Sequence, residues 1–153
     1  MVTLGPTLES EQFEAPSNVR LEKFVQHDLV LPHAAALVTQ CGIGTLTKAL
    51  RHGVPMVCLP LVGDQYDNAA RVIARKAGVR LAAEASPDQL RSAIGRVMMD
   101  ERFKQGAIEL GTAMAFEGDA VERAADKIEF ALRKDDDNAK GASSRHDHPI
   151  PLQ

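Results

Sequence analysis

The chain has 153 residues, 44% apolar and 25% charged, a balance that suits one globular domain with a full core. Its formal charge of -3 gives no overall pull towards nucleic acid or an anionic membrane. No segment reaches the ~20 apolar residues that span a bilayer, and no basic stretch precedes an apolar leader. Cys41 and Cys58 lack the paired spacing of a zinc or redox site, so they read as reduced packing residues of a cytoplasmic protein.

In chain order, Met1 to Leu4 is a short apolar piece closed by Gly5-Pro6, and Thr7 to Asn18 is polar and aperiodic, as a loop would be. Val19 to Val25 alternates like a strand, Leu29 to Ala36 is a helix or turn interrupted by Pro32, and Ala36 to Thr39 is a buried strand. Thr45 to His52 follows as helix with Gly53 as its stop, then Val54 to Leu59 as a strand apolar on both faces. Tyr66 to Ala77 is helical and stopped by Gly78, and Val79 to Ala82 is the next strand. Ser86-Pro87-Asp88-Gln89 is a capping box with proline at the first helical position. Helices are also expected at 101–113 and 118–133, and from Lys134 onward the absence of apolar periodicity reads as a disordered tail. The expected organisation is a domain at 1–133 and a tail at 134–153.

Alternating strands and helices with fully apolar strands imply a parallel sheet covered on both faces, with ligands bound beyond the carboxyl ends of its strands. Two loops fall there. The turn from Gln40 to Thr45 opens a helix, and backbone N–H groups at a helix N-terminus stabilise a diphosphate when Gly42 and Gly44 let it approach and Thr45 adds a hydroxyl. The second loop carries Asp64 and Gln65, which suit sugar hydroxyls. Each feature has a plainer reading: the glycines permit a tight turn, and Asp64 caps the helix beginning near Tyr66. Asn68 and Arg71 read as helix surface or interdomain contacts. His146 and His148 form only a weak metal pair, and no metal site is expected.

The ordered elements FVQHDLVLPHAA, TQCGIGT, HGVPMVCLP and DQYDNAARV resemble the donor-binding signature of the UDP-glycosyltransferase superfamily. That resemblance implies the C-terminal, Rossmann-like half of a GT-B fold, without its first strand and helix. It also implies that Phe24, Val25 and His27 pack against the nucleotide base, that Gln40, Gly42, Gly44 and Thr45 hold the diphosphate, and that Asp64 and Gln65 bind the transferred sugar. Three positions depart from the pattern, one being Gln26, where proline usually precedes the histidine matching His27. Many members have histidine where Gln40 stands, and plant-type members place a ribose-binding glutamate at Lys48. Lysine cannot accept from ribose hydroxyls, so its ammonium contacts a phosphate or extends into water.

The function implied is the donor side of an inverting glycosyltransferase that uses a UDP- or TDP-sugar, needs no metal or other cofactor, and transfers a hexose to a small-molecule hydroxyl. The acceptor pocket and catalytic base belong to an N-terminal half outside this chain, so no residue here is assigned a catalytic role and the chain alone is expected to be inactive. The chain is then expected to be a fragment of a glycosyltransferase, or a subunit partnered by a separate N-terminal half, as in the two-subunit N-acetylglucosaminyltransferase of the dolichol pathway. The alternative is a non-catalytic nucleotide-sugar binding domain derived from such an enzyme.

Overall fold

The computed structural model describes residues 1–116 and 120–143. It divides into two compact units, Met1–Met114 and Ala115–Gln153. In the first unit two short strands, β1 (Val2–Thr3) and β2 (Leu21–Glu22), pair in parallel. A helical turn, α1 (His27–Val30), and a 3-10 turn (Leu31–His33) follow. The main sheet then alternates β3 (Leu37–Thr39), α2 (Ile43–Arg51), β4 (Met56–Cys58), α3 (Gln65–Ala74) and β5 (Gly78–Arg80). Its three strands are all parallel, in the spatial order β3-β4-β5. Helices α4 (Pro87–Met99) and α5 (Glu101–Phe116) come next, and α6 (Ala120–Ser143) belongs to the second unit.

Alternation along β4 sorts the core into two layers. Met56 and Cys58 face Leu46, Ala49 and Leu50 of α2 and Ala69 and Val72 of α3, whereas Val57 faces Ala93 and Val97 of α4. Both crossovers step the same way across the sheet, so right-handed connections put α2 and α3 on one face and leave the other to α4. The expected parallel sheet covered on both faces is therefore present, with β4 buried at its centre.

Several boundaries differ from expectation. The strand expected over Val19–Val25 pairs only at Leu21–Glu22, and its partner is the apolar piece at the N-terminus. Gly53 stops α2 with φ 60°, as expected, but α3 ends earlier, where Lys76 takes the left-handed φ of 53°. Gly78 instead opens β5, where a Cβ would overlap the Met56 carbonyl, so its lack of a side chain serves strand approach rather than helix termination. The capping box forms: Gln89 N–H donates to Ser86 Oγ at 3.3 Å and Ser86 N–H to Gln89 Oε1 at 2.8 Å. Residues 134–143, where the sequence reading expects a tail, are described as the continuation of α6. The tail residues 144–153, with His146 and His148, lie outside the described residues.

Candidate functional site

The phosphate turn begins where β3 ends. Cys41, fully buried, carries a left-handed φ of 65° at the turn. Its N–H donates to Thr39 Oγ1 at 3.2 Å, and its carbonyl accepts from Asn68 Nδ2 at 3.1 Å. Gly42 has φ -60° and ψ 136°, a conformation open to any residue. Beyond the adjoining residues and the backbone of α2 itself, a Cβ at Gly42 or Gly44 would meet no atom within 4 Å. The tight-turn reading of this glycine pair therefore fails: the fold uses neither glycine, and both leave space above the N-terminus of α2.

That N-terminus is polar and open. No side chain caps it, and Leu46 is the first residue whose N–H bonds back, to the Gly42 carbonyl at 3.0 Å. The N–H groups of Ile43, Gly44 and Thr45 thus precede the first helical turn's acceptors, at the positive end of the helix dipole. Gln40 and Gly44 are exposed, and Gly42 and Thr45 half-buried.

The second loop lies alongside. Thr39 pairs with Cys58 across β3 and β4, and Leu59 N–H donates to the Thr39 carbonyl at 2.8 Å, so the chain leaves both strands at one sheet end. Gln65 Oε1 accepts from the N–H groups of Leu61 at 2.8 Å and Val62 at 3.1 Å. The amide oxygen of Gln65 therefore closes its own loop, and its Nε2 is the group left for a ligand. Asp64 stands at the N-cap position of α3, yet its side chain makes no capping bond. Its Oδ2 accepts from Asn68 Nδ2 at 3.0 Å instead, so the capping reading does not describe what this carboxylate does.

The segment expected to meet a base reaches the same helix. Phe24 is 82% exposed, Val25 and His27 are half-buried, and Asp28 joins Lys48 Nζ of α2 at 3.0 Å. The Lys48 ammonium holds the Asp28 carboxyl below the usual carboxylate range. Lys48 is thus paired with α1 at a part-exposed position. The two cysteines are free and buried, as expected. Cys58 is pushed up by its hydrogen bond with Cys41 and by burial, so it stays a neutral thiol.

Asn68 is the residue that sequence reasoning misplaced. Expected at the helix surface or in an interdomain contact, it is 5% exposed and the one buried polar or charged side chain among the described residues. Its spacing of four from both Asp64 and Val72 was the available signal, since that places it between a site residue and the core.

Comparison with known proteins gives this geometry a context. Residues 14–144 match the family described as UDP-glucoronosyl and UDP-glucosyl transferase. The 4'-demethylrebeccamycin synthase of Lentzea aerocolonigenes is 39% identical over 84% of this chain and 30% of its own length. Human UDP-glucuronosyltransferase 2B7 is 36% identical over 76% of this chain and 23% of its own. Among solved structures, the kitacinnamycin glycotransferase superposes with a TM-score of 0.75 at 32% identity, over 83% of this chain and 33% of that one. Glycosyltransferase VinC, in complex with DTDP, also gives 0.75, at 29% identity over 86% of this chain and 34% of that one. The chain spans about a third or less of the length of these relatives. Among the described residues, no helix is long and apolar enough to cross a membrane. The parallel sheet and its flanking helices are those of the C-terminal half of a GT-B glycosyltransferase, and the chain belongs to the UDP-glucoronosyl and UDP-glucosyl transferase family.

Proposed function

We propose that this chain is the donor-binding part of an inverting glycosyltransferase that moves a hexose from a uridine or thymidine diphosphate to a hydroxyl of a small-molecule acceptor. The observation that carries the reading is the uncapped N-terminus of α2 under two glycines that the fold does not use, beside a carboxylate not engaged in helix capping. The N–H groups from Gly42 to Thr45 hold the diphosphate, Asp64 and the Gln65 amide hold sugar hydroxyls, and Phe24, Val25 and His27 meet the base. Two solved relatives hold DTDP and thymidine diphosphate, which supports this ligand class.

In the reaction, the acceptor oxygen attacks the anomeric carbon as the bond to the diphosphate breaks, and a base on a partner half takes the acceptor proton. The turn's N–H groups stabilise the charge that grows on the leaving diphosphate. Neither metal nor redox cofactor has a part in this scheme. A second reading, nucleotide-sugar binding without transfer, draws on Lys48, whose charge is spent on Asp28. Donor consumption and product formation by the purified chain, with and without a candidate N-terminal half, separate the two. Transfer is expected only with the partner half; turnover by the chain alone contradicts the donor-half reading, and tight binding without partner-dependent transfer favours the second.

A further inference from the structure

The two ligand loops are joined by one side chain. Asn68 Nδ2 carries two hydrogens, and both are committed: one to the Cys41 carbonyl at 3.1 Å, the other to Asp64 Oδ2 at 3.0 Å. The first acceptor belongs to the residue that aims the phosphate turn, because Cys41 is left-handed and its N–H is already held by Thr39. The second belongs to the carboxylate proposed to grip the sugar. Cys41 and Asn68 are buried, so losing this donor leaves the Cys41 carbonyl a buried acceptor without a partner, which costs free energy, whereas the exposed Asp64 carboxylate would lose only its orientation.

We propose that Asn68 is a positioning residue that sets the distance between the diphosphate turn and the sugar-binding carboxylate, so that diphosphate and hexose are gripped as one ligand. This rests on the donor-binding reading above. Few side chains meet the requirement. Aspartate would face a carbonyl and a carboxylate without a hydrogen to offer, serine has one hydrogen and a shorter reach, and leucine fills similar space with no donor. Asn68 also sits on α3 with Ala69 and Val72 packed in the core, so the brace is anchored in a rigid element.

The test is a calorimetric comparison of UDP, TDP and their glucose derivatives on the wild type, Asn68→Leu and Asn68→Ser, each checked for a cooperative melt. Both variants are expected to bind the diphosphate sugars at least tenfold more weakly. The affinity that glucose adds over the bare diphosphate should vanish. In an Asp64→Ala background, the Asn68 variants should no longer change that glucose increment, while still weakening the diphosphate. Affinities within twofold of wild type for every ligand overturn the brace, as does an unchanged glucose increment. A ligand-free measurement keeps the two proposals distinct. Asp64→Ala should shift the amide resonances of Gly42 and Gly44 when Asn68 is present and leave them unmoved in the Asn68→Leu chain. Equal shifts in both backgrounds overturn the brace whatever the nucleotides do, whereas a wild type that binds no nucleotide, yet shows the Asn68-dependent shift, overturns only the donor-binding reading.

Discussion

Individual residues divide by how far away their partners lie. The chemistry-bearing types in the two loops were legible because glycine, threonine, aspartate and glutamine stand there in local order. The partners of Lys48 and Asn68 were not, since Asp28 is 20 residues from the one and Cys41 27 from the other, and only the folded sheet brings them together. Local pairs make firmer predictions. Asp100 receives Arg102 through its guanidinium at 2.7 Å and its backbone N–H at 3.1 Å, and the side-chain bond above all takes its carboxyl from 3.8 to about 2. A folded-state value below the unfolded one contributes stability that is complete above the unfolded value and fades as pH falls from ~4 towards about 2. Urea midpoints measured from pH 5 to pH 2 should fall less steeply for Asp100→Asn; equal slopes contradict this role.

Elements were legible where their stops are local and obscure where a neighbour decides. Gly53 and the Ser86 box behave as their sequence context requires, whereas Gly78 is explained by β4 and Lys76 assumes the helix stop. Helix α5 shows the same dependence on neighbours. A Cβ at Gly106 would overlap the Arg75 and Lys76 carbonyls, and one at Gly111 would overlap the Leu50 carbonyl, so α5 packs directly on the backbone that ends α3 and α2. Gly95, by contrast, has nothing within 4 Å of such an atom. Gly106→Ala and Gly111→Ala should each lose about 1–3 kcal/mol through overpacking. Gly95→Ala should gain roughly 0.5–1 kcal/mol through helix propensity. Denaturant unfolding measures all three, and equal effects would show that the close approach does not matter.

At the scale of the molecule, the alternation of strand and helix was enough to give a parallel sheet with both faces covered, because each apolar strand is flanked by an amphipathic helix. Its division was not legible: β1 and β2 pair with each other, while β3 forms an edge of the larger sheet. Nor was the helix through residues 134–143, a stretch with no apolar stripe to signal it. The edge has a consequence. Val38 of β3 is 43% exposed, and among the described residues one side of the strand lacks a ladder partner, the arrangement that recruits another strand. Light scattering should detect concentration-dependent association of the purified chain, and a monomer at all concentrations with one cooperative melt would contradict it.

The central claim is that the N-terminus of α2 is shaped for a diphosphate and not for the fold itself. Gly42→Asp tests it directly, because an aspartate at the N-cap bonds the turn's N–H groups itself and puts negative charge where the phosphates would lie. The decisive measurement is a calorimetric titration of UDP and TDP into the wild type and this variant, with melting curves of both. The wild type should bind saturably, the variant should lose at least tenfold in affinity, and the variant's stability should equal the wild type's or exceed it by up to ~1 kcal/mol. Equal affinity in the two proteins, or no binding by the wild type, would contradict it.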